Sequence, residues 1–433
     1  MRDPEGRLRF EGATAIRTVE RGATGTEFLH HPLAVRLAAD GRLVPFDWRG
    51  TEIVSPRYRF VSQPIDWCDA QFHDAALHTL DLAEAALSEG FELKDASAWN
   101  VVFDGCRPLF CDHLSFHPLA SRQWWAFGQL CRHFVFPLAL SHLRRWPARN
   151  VFLLHRDGID AAQASALLGL RGRFSRLLPL LSAARGADAA APTTERLDPA
   201  DALHGRLIEY ARRCLYAPRR PLGNSGWAHY VVERSHYGAD ASQAKLAQVG
   251  LWIDGLAPDT VLDLGCNTGE FSRAALEAGA RVIAVDADHG SVQQLYTVSA
   301  SSTRLHPVVA NLADLHGGRG WNAAEHPGLL ERLTGQADVL LMLALTHHLH
   351  FSEGIPLSEI AAFAASMTTA HLVLETLAPD DPMVVRLAAQ RRRDPRGLTL
   401  ERQFEAFGAH FELIERRPLV GSGRELVLWK RRP

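Results

Sequence analysis

Residues 261–286 read VLDLGCNTGEFSRAALEAGARVIAVD, and this stretch decides the fold. A short apolar run (Val261, Leu262, Leu264) ends in a glycine-rich turn, Gly265-Cys266-Asn267-Thr268-Gly269. An amphipathic helical stretch follows, closes at Gly279 and feeds a second apolar run, Val282 to Val285, that ends on Asp286. Strand, tight loop, helix and strand make a βαβ unit, the arrangement that holds a nucleoside at the carboxyl ends of parallel strands. Glycine lets the backbone approach a ligand closely and adopts positive φ cheaply. Asp286 stands about 20 residues past the loop, where a carboxylate takes both hydroxyls of a ribose.

The loop separates two classes of nucleoside site. Dinucleotide sites use G-x-G-x-x-G, so that a helix N-terminus meets a pyrophosphate. Here the loop reads DLGCNTG, and Asp263 before it is unsuited to phosphates but suits a cationic sulfonium carrying an ammonium group. The stretch resembles motif I of the class I S-adenosylmethionine (SAM)-dependent methyltransferases. That resemblance implies SAM as cofactor, with Asp263, Gly265, Asn267 and Gly269 around the methionine moiety. Asp286, followed by Ala287, would hold the ribose. At the adenine the family often places an aspartate after the third strand; this chain offers Asn311, Leu312 and then Asp314, and the choice between Asn311 and Asp314 stays open.

Length and composition bound the rest. At 433 residues the chain is long enough for two domains with separate cores. Hydrophobic residues at 47% and charged residues at 22% describe a globular rather than a disordered chain. A formal net charge of −2 gives no global field to recruit nucleic acid or an anionic membrane. Six cysteines (Cys68, Cys106, Cys111, Cys131, Cys214, Cys266) form no CxxC pair or metal-type spacing and read as reduced thiols. The N-terminus lacks a signal-peptide apolar region, and no apolar run reaches the roughly 18 residues that span a bilayer. The expectation is a cytoplasmic protein without bound metal, acting on a small molecule, with its oligomeric state open.

The expected fold class is α/β, a Rossmann-like class I methyltransferase sheet with a separate α+β N-terminal domain. Apolar runs at 305–311, 337–345 and 371–376 extend the pattern to five parallel strands, with helices at 289–300 and 356–367. FELIERRPLV and RELVLWKR, joined by Gly421-Ser422-Gly423, read as a closing antiparallel hairpin, its last strand inserted beside the fifth. Residues 184–202 are rich in alanine, proline and small polar residues. They suggest a domain of 1–184, a linker with a connecting helix over 185–222, and a SAM domain of 223–433.

Candidates for chemistry sit at strand ends. The fourth strand runs into Thr346-His347-His348, where open α/β sheets place their sites. Either His347 or His348 is a candidate general base; either equally shapes a pocket floor. Glu375 ends the fifth strand and is read as a substrate-binding acid or a solvated one. Before motif I, an aromatic and basic segment supplies Trp227, Tyr230, Tyr237 and Lys245. Such a segment covers the SAM pocket in similar enzymes, making Trp227 and Tyr237 lid candidates and Tyr230 and Lys245 cofactor contacts; docking-helix core is the competing reading. Together with GRGW at 318–321 and LETLAPDDPMV, ADVLLMLALTHHL resembles a bacterial group that includes nodulation proteins of the NoeA type.

Residues 93–115 resemble a protein-kinase catalytic loop and the metal-binding turn after it. Asp95 and Asn100 have the D-x4-N spacing, and Asp112 falls where the metal-binding aspartate would. No lysine precedes Lys94 and no G-x-G-x-x-G loop appears, so a degenerate kinase-like domain for scaffolding or substrate capping is expected. The function expected is SAM-dependent methyl transfer to oxygen or nitrogen of a small polar metabolite in specialised biosynthesis. The alternatives are SAM cyclisation or aminocarboxypropyl transfer releasing methylthioadenosine, a non-catalytic SAM-binding scaffold, and phosphotransfer at Asp95 and Asp112.

Overall fold

The computed structural model describes residues 6–20, 22–183, 198–199, 202–219 and 239–433. The chain divides into two units, Met1–Arg220 with Gly318–His326, and Pro221–Gly317 with Pro327–Pro433.

In the first unit, β1 (Gly6–Glu11), β2 (Thr14–Val19), β3 (Asp47–Trp48) and β4 (Glu52–Pro56) form an antiparallel sheet in the order β1-β2-β4-β3. The helix Asp69–Ser88 buries Phe72, Ala76, Leu80 and Ala83, the three-to-four spacing of a one-faced helix. After it, β5 (Phe91–Leu93) pairs with β8 (Phe116–Pro118), and β6 (Val101–Asp104) pairs with β7 (Arg107–Phe110). The helix His204–Cys214, read from sequence as part of a connector, packs inside this unit: Arg212 pairs with Asp81 at 2.5 Å and Glu84 at 2.8 Å. The unit therefore extends past residue 184. It also includes Gly318–His326, where the His326 ring stacks on Trp99 at 4.0 Å, Glu325 pairs with Arg156 at 3.0 Å and Arg319 donates to the Leu153 carbonyl.

The second unit is built on one seven-stranded sheet. Its strands are β9 (Thr260–Leu264), β10 (Arg281–Asp286), β11 (Leu305–Val309), β12 (Ala337–Met342), β13 (Thr368–Leu377), β14 (Phe411–Leu419) and β15 (Arg424–Arg431). The order is β11-β10-β9-β12-β13-β15-β14, with β9 to β13 parallel and β15 antiparallel to both its neighbours. The parallel strands are near-continuous apolar runs because helices cover both faces. This is the Rossmann-like class I sheet expected from the sequence, with the closing hairpin strand inserted beside β13.

Register fixes where the chemistry falls. Val285, Leu264, Met342 and Leu374 lie side by side across β10, β9, β12 and β13. The residues one step further, Asp286, Gly265, Leu343 and Glu375, therefore share the carboxyl edge. Antiparallel pairing of Leu377 with Arg424 brings the start of β15 to the same edge. No helix among the described residues is long and apolar enough to cross a membrane.

Candidate active site

The loop after β9 is shaped by backbone conformations that few residues adopt. Gly265, Asn267 and Gly269 have φ of 76°, 50° and 77°. A Cβ at Gly269 would lie 2.4 Å from Leu295 Cδ1, so the loop closes onto the next helix only with glycine there. The Gly265 and Cys266 amides donate to the Val285 carbonyl at 2.9 and 3.2 Å, tying the loop to β10. Asp286 holds the other side: one carboxylate oxygen accepts from the Asn267 amide and the other from the Asp288 amide, both at 2.8 Å. Burial raises the Asp286 carboxyl, and these amides oppose the rise. Each carboxylate oxygen has a second lone pair for a ribose hydroxyl. Ala287 beside it is exposed.

Asp263 is 2% exposed and accepts from Ser272 Oγ at 2.6 Å. Burial pushes its carboxyl up to about 6, against the lowering pull of Ser272 and Lys245. A carboxylate so poised is stabilised by an incoming cation, which fits an ammonium group. After β11, Asn311 is exposed and its side-chain oxygen accepts from the Ala313 amide at 3.0 Å; Leu312 is half-buried and Asp314 exposed. These residues fit SAM: the Gly265–Gly269 loop would lie along its methionine moiety, with Asp286 as acceptor for ribose hydroxyls and Asp263 as acceptor for the ammonium.

At the neighbouring strand ends the structure assembles a buried ion network. Lys245, on the helix Ala239–Leu256, places Nζ 2.5 Å from Glu375 Oε2 and 5.0 Å from the Phe271 ring centre. Arg424 Nη1 donates to Glu375 Oε1 at 3.1 Å, and its Nε and Nη2 bind both oxygens of Asp381 at 2.7 and 3.2 Å. Glu375 is fully buried, not the solvated acid that was one sequence reading. Lys245, read from the sequence as a cofactor contact, is bonded to Glu375. Arg424 and Asp381 were missed, since nothing local in RELVLWKR or PDDPMV sets them apart from surface charges. Ser272 stood inside the motif without an assigned role.

β12 ends earlier than the apolar run suggested. Ala344 takes φ of 52°, a strained conformation for a residue with a Cβ, and turns the chain into Leu345 and Thr346. A π-helical turn, His348–Ser352, follows. Leu345 Cδ1 lies 3.5 Å from where a Cβ on Gly265 would be, so this turn packs beside the glycine loop. His347 is fully buried, with its ring centre 4.1 Å from that of His348. Burial first, then His348, Arg424 and Lys245, push His347 well below the usual imidazole range. Burial and Arg424 bring His348 down to about 4. Both rings are neutral at physiological pH. Trp227, Tyr230 and Tyr237 lie outside the described residues.

The kinase-like pattern in the first unit has a different fate. Asp112 accepts from Arg17 Nη1 at 2.7 Å, from Ser115 Oγ at 2.5 Å and from the Leu114 amide at 3.3 Å. Burial alone would raise its carboxyl, but Arg17 and Ser115 outweigh burial and hold it below the usual range. Among the described residues no group of three or more metal-ligating side chains comes together.

A family model described as a methyltransferase domain matches residues 234–417. Along 99% of its length the chain is 28% identical to the nodulation protein NoeA of Rhizobium meliloti (strain 1021), covering 95% of that protein. Over 47 residues, 10% of this chain and 19% of the other, it is 53% identical to the cypemycin N-terminal methyltransferase of a Streptomyces species. Among solved structures, magnesium protoporphyrin IX methyltransferase from Synechocystis PCC 6803 with bound SAM shares 18% identity, with a TM-score of 0.34, over 48% of this chain and 93% of that one. The chain carries a class I, Rossmann-like methyltransferase domain in its second unit and is a SAM-dependent methyltransferase.

Proposed function

We propose that the chain transfers a methyl group to an oxygen or nitrogen atom of a small polar metabolite in a specialised biosynthetic pathway. The observation that carries this reading is the neutral, buried imidazole of His347, two residues past Leu345, which packs against Gly265 of the loop. Oxygen and nitrogen nucleophiles lose a proton as they are methylated, and a neutral imidazole can receive it. SAM supplies the methyl group as an electrophilic sulfonium when bound. Asp263 and Asp286 would orient its ammonium and ribose, with Gly265, Asn267 and Gly269 giving room between them. Catalysis in this reading is largely positioning: the strained turn at Ala344 and the packing of Leu345 fix the histidines relative to the loop. The Lys245–Glu375–Arg424–Asp381 network holds the carboxyl edge rigid without adding net charge.

Mass spectrometry of purified protein incubated with SAM, with and without small-molecule extract of the source cells, tests this. S-adenosylhomocysteine formed only with extract, beside a component one methyl group heavier, is expected. Methylthioadenosine would instead indicate cleavage at the aminobutyryl carbon and overturn the reading.

A further inference from the structure

Three atoms at the end of β12 remain over once the ion network is drawn. Thr346 Oγ1 and both ring nitrogens of His347 are fully buried, and none finds a hydrogen-bond partner among the described residues. Leaving a buried polar atom unmatched is costly, so three on adjacent residues point to a ligand that meets them. They follow the strained Ala344 and come one and two residues after Leu345, whose side chain packs against Gly265 of the glycine loop.

We infer that Thr346 and His347 seat an alcohol hydroxyl, so that the methyl acceptor is a hydroxyl oxygen; this rests on the methyl-transfer reading of the same site. A neutral imidazole offers one N–H donor and one bare nitrogen acceptor, and a threonine hydroxyl also offers both. Their match is a group that donates and accepts at once. Charge narrows the choice further. Lys245 and Arg424 are already balanced by Glu375 and Asp381 through direct contacts. An amine arrives as an ammonium near neutral pH and must shed a proton before it attacks, which the weakly basic His347 does not favour, and a carboxylate would find no unmatched cation. A hydroxyl brings no charge to the site. In the transfer, the hydroxyl oxygen bonds to the methyl carbon, and the carbon–sulfur bond of SAM breaks with its electron pair on sulfur. The hydroxyl proton goes to the bare nitrogen of His347 as the sulfonium loses its positive charge, and the imidazolium, which burial, Arg424 and Lys245 disfavour, gives that proton up to solvent as the product leaves.

The test uses SAM labelled with carbon-13 in its methyl group, the full-length protein and an extract of the source cells, followed by carbon NMR of the products. Label in the methoxy region that survives mild alkali is expected. Label on nitrogen, or in an alkali-labile methyl ester, would overturn the hydroxyl inference while leaving methyl transfer standing. Methylthioadenosine in place of S-adenosylhomocysteine would overturn both. His347→Phe and Thr346→Val add the second arm. His347→Phe is expected to lower kcat/KM by about 100-fold or more with the calorimetric Kd for SAM unchanged. Wild-type turnover in both variants would remove these residues from the acceptor site.

Discussion

Lys245 Nζ and Glu375 Oε2 lie 2.5 Å apart although 130 residues separate them in sequence, and Glu375 is fully buried. The pair joins the helix before the glycine loop to the end of β13. Replacing Lys245 by methionine leaves a buried carboxylate short of one cation. A loss of about 3–5 kcal/mol is the expected scale for breaking such a pair. Chemical denaturation of Lys245→Met checks it, and Lys245→Met/Glu375→Leu is expected to recover part of the loss. A Lys245→Met protein as stable as wild type would show that the pair carries no structural weight.

Asp286 serves the loop and, in our reading, the ribose. Charge-assisted hydrogen bonds of this kind contribute about 1.5–3 kcal/mol each. Asp286→Ala is expected to weaken SAM binding at least about 10-fold, with the sheet intact by circular dichroism. Unchanged binding in calorimetry would sink the ribose assignment.

SAM affinity should depend on pH through Asp263. Its carboxyl lies at about 6 in the folded chain against the ordinary 3.8. The folded state thus holds this proton more tightly than the unfolded one. The group's contribution to stability is fully present below the ordinary value and is lost as pH rises through about 6. An ammonium group favours the ionised carboxylate, so below that point binding must expel a proton. Affinity is expected to fall as pH drops from about 7 to about 5, with proton release visible when calorimetry is repeated in buffers of different ionisation heat. A flat profile would take Asp263 out of the ammonium role.

Gly269 tolerates no side chain. Its φ of 77° and the 2.4 Å approach to Leu295 Cδ1 act together. Gly269→Ala is expected to cost roughly 1–3 kcal/mol in stability, as strain and overpacking typically do, and to weaken SAM binding. Gly269→Ala/Leu295→Ala should relieve the contact but not the backbone strain, which thermal melts of the two variants would separate.

Arg17 closes on Asp112, so the first unit is expected to release no ADP from ATP and magnesium. Asp112→Asn is expected to lower the melting temperature while leaving the methyl-transfer rate as in wild type. An ATPase activity abolished by Asp112→Asn would contradict this reading.

The sequence read well wherever a local pattern mirrors a local cause. Parallel strands covered on both faces appear as apolar runs, and a loop needing positive φ appears as Gly265 and Gly269. It read poorly where partners are distant. Arg424 meets Glu375 across 49 residues and Asp381 across 43, and Arg17 meets Asp112 across 95. Each of these looks like a surface charge in its own neighbourhood; only the fold reveals that Arg424 is buried, Arg17 half-buried, and both paired. Ala344 is a related case, since alanine gives no warning of a left-handed turn and the strand was expected to run on to 345. His347 was singled out by position, but its burial depended on the turn that Ala344 makes.

The nine residues Gly318–His326 belong to the first unit while lying, in the order of the gene, inside the second. A cassette excised from residue 221 onward would therefore carry Arg319, Glu325 and His326 away from Leu153, Arg156 and Trp99. Evolution or engineering that shuffles this methyltransferase as a freestanding module must recode that insertion, and a recombination breakpoint placed by sequence composition alone would cut through a folded interior.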